Sequence, residues 1–150
     1  MKLAEALVRR ADLQKRLAQL RNRLLLNAKV QEGEQAAEDP YALLAELDAL
    51  AGELETLITR INRTNAETVD AGETISALLA RRDCLRLRVE ALRDFLSEAG
   101  ATVLRGTRSE VVIKSTVSVS EQQKKVDALS KALRDLDVRI QSLNWTAELL

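Results

Sequence analysis

With 150 residues, 46% hydrophobic and 31% charged, the chain is long enough to bury one core and too apolar to be a disordered segment. Its 23 basic and 23 acidic residues cancel, which removes the general electrostatic case for nucleic acid or an anionic membrane as partner. One tryptophan, one tyrosine and one phenylalanine imply an aliphatic core, and a single proline leaves room for long helices.

The first helix is expected over about 2–27. Its apolar seam is Leu3, Ala6, Leu13, Leu17, Leu20 and Leu24, with Arg10 interrupting it. Residues 9–23 are basic, with six lysines and arginines against Asp12 alone. The second helix, about 41–66, has the clearest pattern in the chain. Leu43, Leu47, Leu50, Leu54, Leu57 and Ile61 recur in alternating steps of four and three, which keeps one helix face towards a partner and excludes a strand. Asp39-Pro40 supplies a capping carboxylate and a residue suited to the first helical position. The acidic opening of this helix (Glu46, Asp48, Glu53, Glu55) complements the basic first helix, so the two are expected to fold back on each other. Ion pairs of this kind select the partner, while leucine burial supplies the stability.

A break at 66–73 precedes a third helix over about 74–99, with the seam Ile75, Leu78, Leu85, Val89, Leu92 and Leu96. Arg82 occupies a seam position, which is costly unless the charge is paired. Antiparallel pairing with the fourth helix sets Arg82 near Leu136, between Asp135 and Asp137. Residues 101–118 lack helical character and are rich in β-branched side chains, so an extended or β-hairpin arm is expected there. Ser118 and Glu121 have capping-box spacing and open a fourth helix over about 119–143, with the seam Val126, Leu129, Leu133, Leu136, Ile140 and Leu143. The expected fold is mainly α: a single domain over 1–150, an antiparallel coiled-coil-like four-helix bundle with a short arm between helices three and four.

Short connections favour antiparallel neighbours. One end of the bundle then collects the polar residues Asn62, Arg63 and Asn65, the run Arg81-Arg82-Asp83, and the pair Asn144-Trp145. Two readings follow. These side chains cap helix ends and fix register and oligomer state, or they form a pocket for a small anionic ligand, with the arginines giving charge and Trp145 shape. Trp145 also suits a plain hydrophobic end-plug. No catalytic constellation is present: the chain has no histidine, one cysteine (Cys84), no glycine-rich phosphate loop and no cysteine pair for zinc. No metal and no cofactor is implied, and an enzyme is disfavoured. The lone cysteine suits a reducing compartment. Glu5, Arg9 and Arg10 stand where an export signal needs an apolar core. No run approaches the ~20 apolar residues of a membrane span, so the sequence reads as cytoplasmic.

The segments Ala11-Asp12-Leu13-Gln14-Lys15-Arg16, Val30-Gln31-Glu32-Gly33-Glu34, Ile61-Asn62-Arg63-Thr64-Asn65, Ala80-Arg81-Arg82-Asp83 and Leu143-Asn144-Trp145-Thr146 together resemble a small uncharacterised bacterial family, some of whose members bear the name septicolysin. The resemblance covers nearly the whole chain. It implies a helical protein and supplies no catalytic residues; the name implies a cytolysin. The function expected from the residues is a structural or interaction protein that forms a homo-oligomer through leucine-rich faces and the arm. Leu7, Leu25, Leu26, Leu79, Leu87 and Phe95 lie outside the main seams and are its candidate contacts. The alternative is a bundle that binds a small anion at its polar end, and the cytolysin reading ranks below both.

Overall fold

The computed structural model describes residues 1–101 and 112–150. The chain is mainly α. Helix α1 runs Leu3–Leu26, α2 Pro40–Glu67, α3 Ile75–Gly100 and α4 Val119–Thr146. Two short strands, β1 (Val69–Asp70) and β2 (Glu73–Thr74), lie between α2 and α3. Residues 1–75 with 142–150 form one compact unit and residues 76–141 a second.

In the first unit α1 and α2 form an antiparallel hairpin. Its core follows a strict seven-residue repeat. Ala6, Leu13, Leu20 and Asn27 on α1, and Leu43, Leu50, Leu57 and Thr64 on α2, are all buried. A second row is less shielded: Leu17, Leu24, Leu47 and Leu54 are half-buried, with Leu3 and Ile61 buried at its ends. Burying one leucine contributes about 1.5–3 kcal/mol, so the strict row dominates this hairpin's stability. Arg10 interrupts the second row, and its Nε is buried without a hydrogen-bond partner among the described residues.

The sequence signals at the helix starts operate as expected. The Asp39 carboxylate accepts from the Tyr41 N–H at 3.0 Å, and Pro40 holds the first helical position. At α4, the Ser118 hydroxyl accepts from the Glu121 N–H at 3.5 Å. Gly52, in the middle of α2, has no comparable role. A Cβ there meets nothing within 4 Å, and glycine inside a helix costs about 0.5–1 kcal/mol relative to alanine. Gly52→Ala is therefore expected to stabilise the fold by about that amount, read as a higher urea midpoint; an unchanged or lower midpoint contradicts the open space.

The break after α2 is a tight hairpin in which Val69 pairs with Thr74 and Asp70 with Glu73. Ala71 and Gly72 form its loop with φ of 48° and 84°. Two positive φ values in succession match the twist of a two-residue hairpin. Only Gly72 was chemically suited to announce it, and the sequence marks the segment as no more than a break. The arm expected over 101–118 falls largely on 102–111, outside the described residues. Residues 112–118 are described and hold no strand, so the hairpin expectation does not extend to them.

In the second unit α3 and α4 are antiparallel: Arg82 lies against Asp137 and Arg93 against Ser130. Leu78, Val89, Leu96, Val126, Leu136 and Ile140 are buried among its seam residues.

Candidate functional site

In the first unit, hydrogen bonds join the start of α1, the end of α2 and the segment after α4. Thr64 is at their centre. It stands one heptad beyond Leu57, so the helix that buries the leucines buries Thr64 completely. Its hydroxyl donates to the Arg60 carbonyl at 2.9 Å and accepts from the Leu150 N–H at 3.0 Å. The Arg60 guanidinium donates to the Leu150 carbonyl at 2.8 Å and towards that of Leu149 at 3.4 Å. Main-chain bonds tie the same segment to α1: Leu3 N–H to the Ala147 carbonyl, 3.0 Å, and Leu149 N–H to the Met1 carbonyl, 2.9 Å.

Charge surrounds this clasp. Glu148 pairs with the Lys2 ammonium at 2.6 Å and with the Met1 amino group at 3.2 Å. The Lys2 hydrogen bond first, then that of the amino group, holds the Glu148 carboxyl below the ordinary carboxylate range. A carboxylate depressed on folding contributes stability above its unfolded pKa and loses it as pH falls through the folded one. Glu148→Gln is expected to flatten the decline in unfolding midpoint between neutral pH and about pH 3, relative to the unaltered chain. Identical pH profiles would remove this role.

The sequence-selected residues divide between the units. In the first, Asn62 and Arg63 are exposed, and Arg63 donates to Glu67 at 2.9 Å within its own helix. Asn65 and Asn144 are half-buried, and Trp145 is 62% exposed, which does not fit an end-plug. In the second unit Arg82 is half-buried and meets Asp83 at 2.9 Å and Asp137 at 3.9 Å, so the aspartate expected from the register is in place. Asp83 is exposed. Arg81 lines a groove of about 310 Å³ with Leu85, Asp135, Leu136 and Arg139.

Sequence reasoning missed Thr64 as a buried residue, and likewise Asn27 at the other end of the hairpin. The Asn27 amide donates to the Arg23 carbonyl at 2.8 Å and its oxygen accepts from the Glu38 N–H at 2.9 Å. Both could have been found by continuing the seven-residue count past the last leucine. Among the described residues no group of three or more acidic or cysteine side chains could hold a metal ion, and no helix is long and apolar enough to cross a membrane.

Two antiparallel helical pairs define a mainly α protein. The chain belongs to a family of unknown function (DUF6847), which matches residues 10–149. It is similar to the crystal structure of a functionally unknown conserved protein from Corynebacterium diphtheriae. The two are 41% identical with a TM-score of 0.89, over 100% of this chain and 99% of that one. Among curated proteins, none matches the chain.

Proposed function

We propose that the protein is a structural or interaction protein that acts by self-association. The observation that supports this is large apolar side chains left in solvent at the closed end of the first hairpin. Leu25 is 65% exposed, Leu26 81% and Tyr41 82%. Single exposed leucines are ordinary, but three large apolar side chains in solvent on the residues flanking the α1–α2 connection suit a contact surface. Leu87 and Phe95 in the second unit are also exposed, whereas Leu7 and Leu79 are half-buried and contribute less. The polar ends serve to fix register, as buried polar groups at seam positions do in coiled coils. Size-exclusion chromatography with light scattering tests the reading. A multiple of 16.6 kDa at micromolar concentration is expected; a clean monomer overturns it.

Small-anion binding by the residues selected from the sequence is the second reading; of these, Arg81 lines a groove together with Arg139 and Asp135. Inorganic phosphate should then raise the melting temperature, and Arg81→Met should abolish the rise. An unchanged melting temperature across nucleotides, phosphates and carboxylic acids removes it.

A further inference from the structure

One face of the α1–α2 hairpin is closed by an ion ladder that stops before the start of α1. Arg9, Arg16 and Arg23 recur every seven residues on α1, opposite Glu46 and Glu53 on α2. Arg9 donates to Glu53 at 3.0 Å through Nε, and Arg23 meets Glu38 at 3.1 Å and Glu46 at 3.6 Å. One heptad beyond the Arg9–Glu53 rung, the same register sets Lys2 level with Arg60. Like charges cannot close a rung. Both side chains turn instead to the segment after α4: Lys2 to Glu148 at 2.6 Å, and Arg60 to the Leu150 carbonyl at 2.8 Å.

The interval between the last rung and Arg60 is an open groove of about 360 Å³. Gly52, Thr56 and Leu57 line it on α2, and Met1 and Arg9 line it from the start of the chain. Its size is at the lower end of the ~300–1,000 Å³ of small-molecule sites, and like them it is mostly apolar. Gly52 keeps it clear. Glycine inside a helix is destabilising, and a Cβ at this position meets nothing within 4 Å, so packing does not call for glycine here. A side chain at 52 has only the groove or solvent to enter.

The polar groups of the groove are donors. Arg9 spends Nε and Nη2 on Glu53, and Arg60 spends Nε and Nη2 on the Leu150 and Leu149 carbonyls. Among the described residues no hydrogen bond engages the Nη1 of either guanidinium. The Thr56 hydroxyl donates to the Gly52 carbonyl at 2.9 Å, so its proton is already committed.

We propose that this groove binds a small aliphatic carboxylate. The carboxylate takes the Nη1 donors of Arg60 and Arg9, which guanidinium groups present in a geometry suited to it. The hydrocarbon chain lies across Gly52 and Leu57. Two guanidinium groups against the single carboxylate of Glu53 select an anion over a cation, and the apolar lining selects a hydrocarbon body over a bare phosphate. The groove belongs wholly to the first unit, and the inference rests on neither reading given above.

Titration of the isotope-labelled chain with octanoate, followed by amide NMR below the micellar concentration, tests the site. Saturable shifts are expected at the Gly52, Thr56 and Leu57 amides, and octanol and octylammonium should produce none. Arg9→Met removes one charge-assisted donor and should weaken octanoate binding about tenfold or more. Gly52→Leu fills the groove and should abolish the shifts. Arg9 and Gly52 are exposed, so both variants keep the buried rows, and circular dichroism should show unchanged helicity. Absence of saturable shifts, or shifts confined to other amides, overturns the site. Octanol binding as tightly as octanoate overturns the role of the carboxylate, and octylammonium binding overturns the sign of the charge. Undiminished octanoate binding by either variant overturns the assignment to this groove.

Discussion

Replacing Leu20 with alanine is expected to lower the unfolding free energy by about 2–5 kcal/mol. Leu20 lies in the fully buried row of α1, 1% exposed, with Leu13 one heptad before it and Asn27 one after. Truncation removes its transfer energy and leaves a cavity that a rigid two-helix contact cannot close. Leu25 provides the internal comparison, because it has the same side chain on the same helix, five residues on, in solvent. Leu25→Ala should change stability by under about 0.5 kcal/mol in the monomer. Urea titration of both variants gives the contrast directly. Equal losses at the two positions would mean that the seven-residue row is not where this hairpin is held.

Replacing Thr64 with valine should cost about 1–3 kcal/mol. The change keeps the shape and deletes one hydroxyl. That hydroxyl is completely buried and serves two partners, donating to Arg60 and accepting from the Leu150 N–H. The Arg60 carbonyl keeps its place in the helical ladder, so its loss is small. The Leu150 N–H loses its acceptor in a part-buried bond, and an amide left unpaired there carries part of its desolvation cost. Amide hydrogen exchange adds a local readout: the Leu150 amide should exchange faster in the variant, while the Leu50 amide slows or speeds only with global stability. Protection at Leu150 that survives the substitution would show that the hydroxyl is not its acceptor.

The helices were legible because their signals are local and repeated. Leucine spacing gave the four segments, Asp39-Pro40 and Ser118 gave two of their starts, and the basic and acidic flanks of α1 and α2 gave the pairing seen in Arg9–Glu53 and Arg23–Glu38. Arg82 was legible for a related reason: a charge on a seam demands a counter-charge, and antiparallel register left few carboxylates in reach. Asp137 meets that demand at 3.9 Å. Thr64 and Asn27 were not recognised because composition hides them. A threonine and an asparagine at a helix end look like surface caps, and only their phase in the heptad places them inside. The small hairpin at 69–74 was read as a break because two residues per strand are too few for any periodicity to register. The clasp around Glu148 could not be read at all, since it depends on chain segments whose meeting no local pattern encodes.

That clasp also bears on how fast the molecule assembles and comes apart. Arg23 and Glu38 are 15 residues apart in the chain, whereas Met1 and Glu148 are 147 apart. Closing the larger loop is entropically dearer, and its reward arrives only after the helices are in place. The clasp is therefore expected to close late, on the native side of the folding barrier. Weakening it with Glu148→Gln should quicken unfolding in stopped-flow experiments and leave the refolding rate nearly untouched. The clasp is thus expected to act on the unfolding rate, and the leucine rows on the folding rate.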